Sequence, residues 1–94
     1  MTTYRLKREG TAGTDGKEDC IVKLTPAEPG TGIKMEIEGK SRDVFRDDVF
    51  KLFEATLKGM GIEDAYVWSK GSSPLNFTIV ARTKAAAIKG GAFE

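Results

Sequence analysis

Histidine is absent from this 94-residue chain, and cysteine occurs once, at Cys20. Without histidine, the side chain that titrates nearest neutrality is missing, and so is the commonest metal ligand. A single cysteine excludes an intramolecular disulfide and fits a reducing compartment, so a cytoplasmic location is expected. Long apolar runs are missing too. None approaches the ~18 residues of a membrane span, and residues 1–10 contain no apolar signal-peptide core. Net charge is scarce: fifteen Lys and Arg stand against fourteen Asp and Glu, leaving +1. No global field therefore draws in nucleic acid or an anionic membrane, and neither is expected as a partner.

What is present is a soluble globular balance, 39% hydrophobic and 31% charged, with enough apolar residues for one core. The length predicts a single domain over 1–94, because halves would each be too small for a core. Within it, residues 1–17 read as an N-terminal arm and glycine-rich loop, and 85–94 as a short tail. Arg5, Lys7 and Arg8 group at one end, and Asp43, Asp47 and Asp48 in a later segment. Both groupings read as solvated faces.

Periodicity places the elements. Tyr4-Arg5-Leu6-Lys7 alternates weakly, as an edge strand does. The segment 10–17 has no period. Cys20 to Thr25 puts Cys20, Val22 and Leu24 on one strand face, so Cys20 reads as a small buried apolar residue. Ile33 to Glu38 is apolar at odd positions and charged at even ones, a strand with one wet face. It is expected to pair antiparallel with 20–25. From about Ser41 to Met60 the period becomes helical, with Phe45, Val49, Leu52, Phe53, Thr56 and Met60 in one stripe. Ser41 and Asp43 suit its start, Lys58 its last turn, and Gly61 its end. Ala65 to Trp68 reads as a third strand and Phe77 to Arg82 as a fourth. A short helical stretch at Ala85 to Lys89 follows. The expected fold is α+β: a small antiparallel sheet of about four strands in β-β-α-β-β order, with one long helix on one face.

Gly10-Thr11-Ala12-Gly13-Thr14-Asp15-Gly16-Lys17-Glu18-Asp19 is the segment that invites a chemical reading. Gly16-Lys17 is the dipeptide that closes a phosphate-binding loop. That loop needs a glycine five positions before Gly16 and a Ser or Thr after the lysine. Thr11 and Glu18 stand there instead, and the segment opens a strand where a helix N-terminus is required. It is not a phosphate cradle. Asp43, Asp47 and Asp48 could pair for acid–base work or hold a hard cation, but Asp43 and Asp47, one turn apart on the wet helix face, simply hydrate. Ser72-Ser73 is ordinary turn chemistry. Tyr66 and Trp68 share one strand face, but the basic groove of a nucleic-acid platform is missing, so core or partner contact is the better reading.

Taken in order, the chain resembles the acyl carrier (gamma) subunit of citrate lyase and, more distantly, the malonate decarboxylase acyl carrier subunit. That family opens with Ala-Gly-Thr, two residues, Ser-Gly-Asp and an apolar strand. Ala12-Gly13-Thr14, then Asp15 to Asp19 and the strand from Cys20, follow it without gaps. Phe45-Arg46-Asp47-Asp48-Val49 is similar to the family's helix motif. Leu75 to Arg82, with Ala85 to Ala87, is similar to its Leu-Asp, Ala-Arg and alanine-rich ending. The likeness spans roughly residues 10–90.

The resemblance implies a non-catalytic carrier. It would bear a phosphoribosyl-dephospho-coenzyme A group, installed by a holo-transferase through a phosphodiester to the loop serine. The thiol of that arm presents acetyl and citryl thioesters to partner acyl-transferase and lyase subunits. Glycines around such a tether suit an arm that swings between two active sites. The attachment position falls on Lys17, whose amine cannot form the phosphodiester. Thr14 offers the nearby hydroxyl but matches the family's own threonine. Three readings stay open: a carrier modified at an unexpected residue such as Thr14, a paralogue without the arm that acts as a binding or assembly subunit, or a member of a related lyase complex.

Overall fold

The computed structural model describes residues 3–14, 16, 19–39, 46–71 and 76–94. In chain order the elements are β1 (Gly10–Gly13), β2 (Cys20–Pro26), β3 (Ile33–Gly39), α1 (Arg46–Gly59), β4 (Ala65–Gly71) and α2 (Asn76–Lys89). The four strands form one sheet in the order β1-β2-β4-β3. The α+β class, a sheet of four strands and a helix-covered face stand as the sequence predicts, but the order is β-β-β-α-β-α with two long helices in place of β-β-α-β-β with one. Three local expectations do not hold.

The first concerns pairing. β2 and β3 are not neighbours; β4 lies between them, antiparallel to β2 with Val22 opposite Ser69, and parallel to β3 with Met35 opposite Val67. The sheet is therefore mixed. Parallel neighbours need a crossover, and α1 supplies it between β3 and β4. Alternation along a strand states which face is wet but carries nothing about which strand lies alongside.

The second concerns residues 77–82, which are helical and not a strand. The run Phe77-Thr78-Ile79-Val80 is apolar and β-branched, and a short run of that kind fits either element. What decides is the longer period: Ile79, Thr83, Ala86 and Ala87 are the buried residues of α2. Those steps of four, three and one place them on one helical face. The 85–94 tail is thereby divided between the end of α2 and a closing turn at Gly90 to Phe93.

The third concerns the N-terminal region. Tyr4 to Lys7 makes no strand. Tyr4 forms one parallel bridge to Ile62, and the backbone nitrogens of Lys7 and Arg8 donate to the Gly90 carbonyl at 2.8 and 3.1 Å. The strand lies instead in the glycine-rich segment, where Gly10 to Gly13 pairs antiparallel with Leu24 to Ile21. Gly10 explains this placement. A Cβ there would stand 2.1 Å from the Ala86 carbonyl oxygen and 2.5 Å from the Gly90 nitrogen. Only a residue without a side chain lets this edge strand lie against the end of α2.

Both helices cover the sheet face that carries Cys20, Val22, Leu24, Ala65 and Val67, with Phe53, Leu57, Ile79 and Ala87 completing the core. Ser41, Asp43 and Phe45, expected at the start of α1, lie outside the described residues. Val49, Leu52, Thr56 and Met60 are half-buried beside fully enclosed Phe53. Asp64 closes the end of the sheet at the start of β4, where its Oδ1 accepts from the Gly30 and Gly32 nitrogens at 3.0 and 2.8 Å. The chain ends meet: Arg8 forms a two-point ion pair with Glu94, and the Tyr4 ring meets Phe93 edge-on at 4.8 Å. Among the described residues, no helix is long and apolar enough to cross a membrane.

Candidate functional site

β1 and β2 form a hairpin, and the connection between them is the second half of the glycine-rich segment. Gly13, the last residue of β1, has φ +91°, and a Cβ on it would stand 1.9 Å from the Cys20 carbonyl oxygen. Glycine is required there both for the left-handed conformation and for the close approach.

Asp19 organises the other end of the connection. Its Oδ1 accepts from the Cys20 nitrogen at 2.7 Å and from Arg82 Nε at 2.9 Å. Its Oδ2 accepts from Arg82 Nη2 at 3.2 Å and from the Thr14 hydroxyl at 3.0 Å. The Thr14 oxygen in turn accepts from the Gly16 nitrogen at 3.2 Å, and the Asp19 nitrogen donates to the Gly16 carbonyl at 3.2 Å. The start and end of the connection are thus tied to each other and, through Arg82, to the middle of α2. The guanidinium meets the carboxylate with two nitrogens, the planar fork that lysine lacks.

The electrostatics follow from this geometry. The hydrogen bond from Arg82 is the main cause that lowers the Asp19 pKa from 3.8 to about 2, with the Cys20 nitrogen and Thr14 adding to it against partial burial. The same pairing raises the Arg82 pKa. Asp19 is therefore a fixed anion and a poor proton acceptor, suited to bracing. Cys20, directly below, is buried, and that burial pushes its thiol up to about 11. It is a core residue and not a nucleophile at neutral pH, as the strand pattern implied.

Of the residues singled out from sequence, Thr14 is exposed at the rim of this loop. Lys17, Asp15 and Glu18 lie outside the described residues, as do Asp43, Ser72 and Ser73. Asp47 and Asp48 are exposed in the first turn of α1. Among the described residues, no three His, Cys, Asp or Glu side chains are grouped to hold a metal. Tyr66 and Trp68 are on the sheet face away from the helices, so the core alternative for them does not hold. Lys23 Nζ sits 5.5 Å from the Trp68 ring centre, and Trp68 Nε1 donates to Glu38 at 2.8 Å. Sequence reasoning missed the Asp19–Arg82 pair because 63 positions separate the two residues. The available signal was that both fall in segments resembling one family.

Fold and loop together define a small α+β domain that displays a hairpin connection braced from a helix. Comparison with known proteins gives this class its family. The family model described as the ACP malonate decarboxylase delta subunit (MdcD) matches residues 7–89, and the chain belongs to that family. The citrate lyase acyl carrier protein of Halothermothrix orenii is 31% identical over 81 residues, covering 86% of this chain and 84% of the relative. That of Fusobacterium nucleatum is 33% identical over 84 residues, covering 89% and 88%. A chain from the crystal structure of a Pseudomonas malonate decarboxylase hetero-tetramer in complex with malonate shares the fold, with TM-score 0.71 and 16% identity. The match covers 93% of this chain and 88% of that one. The resemblance read from sequence holds.

Proposed function

We propose that this chain is the acyl-carrier-type (gamma) subunit of a citrate lyase-like complex in the cytoplasm. It is a non-catalytic chain that seats on larger transferase and lyase subunits and holds the β1–β2 connection toward them. The observation that carries this reading is the bracing of that connection by Asp19 and Arg82. Two segments that resemble the acyl carrier family, far apart in sequence, meet in one ion pair whose effect is to fix where the loop stands.

The phosphoribosyl-dephospho-coenzyme A arm that the family implies does not fit the residues present. At the matching position Lys17 offers an amine. The hydroxyl of Thr14 donates to Asp19 Oδ2 at 3.0 Å. Esterification would remove that proton and set a phosphate anion beside a carboxylate held ionised by Arg82. No step is derived through the arm. Two forms of the proposal follow. In one, a holo-transferase installs the arm in spite of this, and an acetyl or citryl thioester is presented on it. In the other, favoured by Lys17 and by the engagement of Thr14, the subunit carries no covalent group and serves binding or assembly.

Gel filtration of native-cell extract, joined to intact mass of the purified chain, tests both. Co-elution with larger subunits is expected, and elution as a free monomer would sink the subunit reading. A mass equal to that of the polypeptide supports the armless form. An added mass equal to the arm overturns that form and restores the first.

A further inference from the structure

The outer face of α2 is apolar where a surface helix is normally polar. Phe77 is 71% exposed and Ile88 60% exposed. With Ala81 and Lys84, also exposed, they stand at steps of four, three and four, one straight stripe along the helix. Beside that stripe runs a groove of about 340 Å³ between the two helices, lined by Ala55, Thr56, Gly59, Met60, Val80 and Lys84. Its α1 wall is low because Ala55 and Gly59 bring almost no side chain to it. Two large apolar side chains flanking a shallow, mostly apolar groove are what a docked helix uses as anchors. The core does not use them, and neither does the loop site.

We propose that this face receives an amphipathic helix of a larger subunit of the complex, one that brings apolar residues to Phe77, Ile88 and the groove and a carboxylate to Lys84. The inference rests on the subunit reading above and names the surface and the kind of partner. Charge selects that partner. Lys84 is the only ionisable residue of the stripe and lies at its middle, and no ion pair to it is formed among the described residues. A second copy of this chain would bring another lysine to the same stripe, whereas an acidic helix neutralises it.

The test is photo-crosslinking in native cells, with a benzophenone amino acid placed at position 77 or 88, and at 66 on the open sheet face for contrast. Crosslinks from 77 and 88 are expected in a single helical segment of one larger subunit, with none to that segment from 66. In pull-downs of the complex, Lys84→Glu and Phe77→Ser should each weaken association at least tenfold and Lys84→Arg hardly at all. Their circular dichroism and melting midpoints should match wild type, because both side chains are exposed. Crosslinks to a second copy of this chain, or undiminished association of both variants, overturn the docking inference while leaving the subunit reading intact. Failure of the wild-type chain to associate with any larger subunit overturns both.

Discussion

Asp19 shows how one side chain takes a role that its neighbours in sequence do not reveal. Flanked by glutamate and cysteine, it stands just before a strand in the segment that resembles the family's opening. In the fold its two oxygens accept from Arg82, Thr14 and the Cys20 nitrogen, and its pKa falls to about 2. A carboxylate depressed in this way stabilises the fold fully above its unfolded-chain value near 3.8 and loses that contribution as pH falls through about 2. Wild type should therefore be more stable than Asp19→Asn at pH 7. The gap should close as the pH falls from about 4 to about 2, in urea denaturation at each pH. A gap that stays constant across that range would mean the ion pair is not its source. Cys20, by contrast, was legible from sequence alone. Strand alternation with Val22 and Leu24 put it inside, and its inertness as a nucleophile follows from that burial.

At the scale of elements, the hairpin β1–β2 is the part least visible in the chain. A run of glycine and threonine has no hydrophobic period, so four residues of strand were indistinguishable from loop. They are a strand because β2 offers its edge and because Gly10 lets β1 approach α2. Gly13 gives a direct check. Its φ of +91° is close to the +90° of Gly30, but a Cβ at Gly13 would meet the Cys20 carbonyl oxygen at 1.9 Å, whereas at Gly30 nothing lies within 4 Å. Gly30→Ala should cost about 1 kcal/mol from backbone strain alone, and Gly13→Ala about 2–4 kcal/mol because the hairpin must also open. Equal losses in chemical denaturation would show that the close approach does not matter. α2 was misread for a related reason. The four residues Phe77 to Val80, rich in β-branched side chains, satisfy two periods, and the deciding residues, Thr83 to Ala87, come after them.

At the scale of the whole molecule, the described residues form one core, and both helices and all four strands share it. Phe53, in the middle of α1, is 1% exposed and is the largest of the fully enclosed side chains among the described residues. Phe53→Ala should cost about 3–5 kcal/mol. Because the core is continuous, Trp68 fluorescence and helical circular dichroism should be lost in one transition for wild type and variant alike. Separate midpoints for the two signals would divide the molecule into independent units.

The sequence alone determined the α+β class, which faces of β2, β3 and β4 are wet, the burial of Cys20 and the burial of Phe53 on α1, although it left fully buried Leu57 out of the helix stripe. Each of these depends only on the spacing of apolar residues within one element. The failure of the phosphate-loop reading and the likeness to acyl carriers were likewise a matter of residue identity and order. Only the tertiary structure decided that β4 lies between β2 and β3, that residues 76–89 form a helix packed on β1 and β2, and that Arg82 reaches Asp19. Those outcomes turn on contacts between residues tens of positions apart. They are fixed by which surfaces must cover which others, and no local period encodes that.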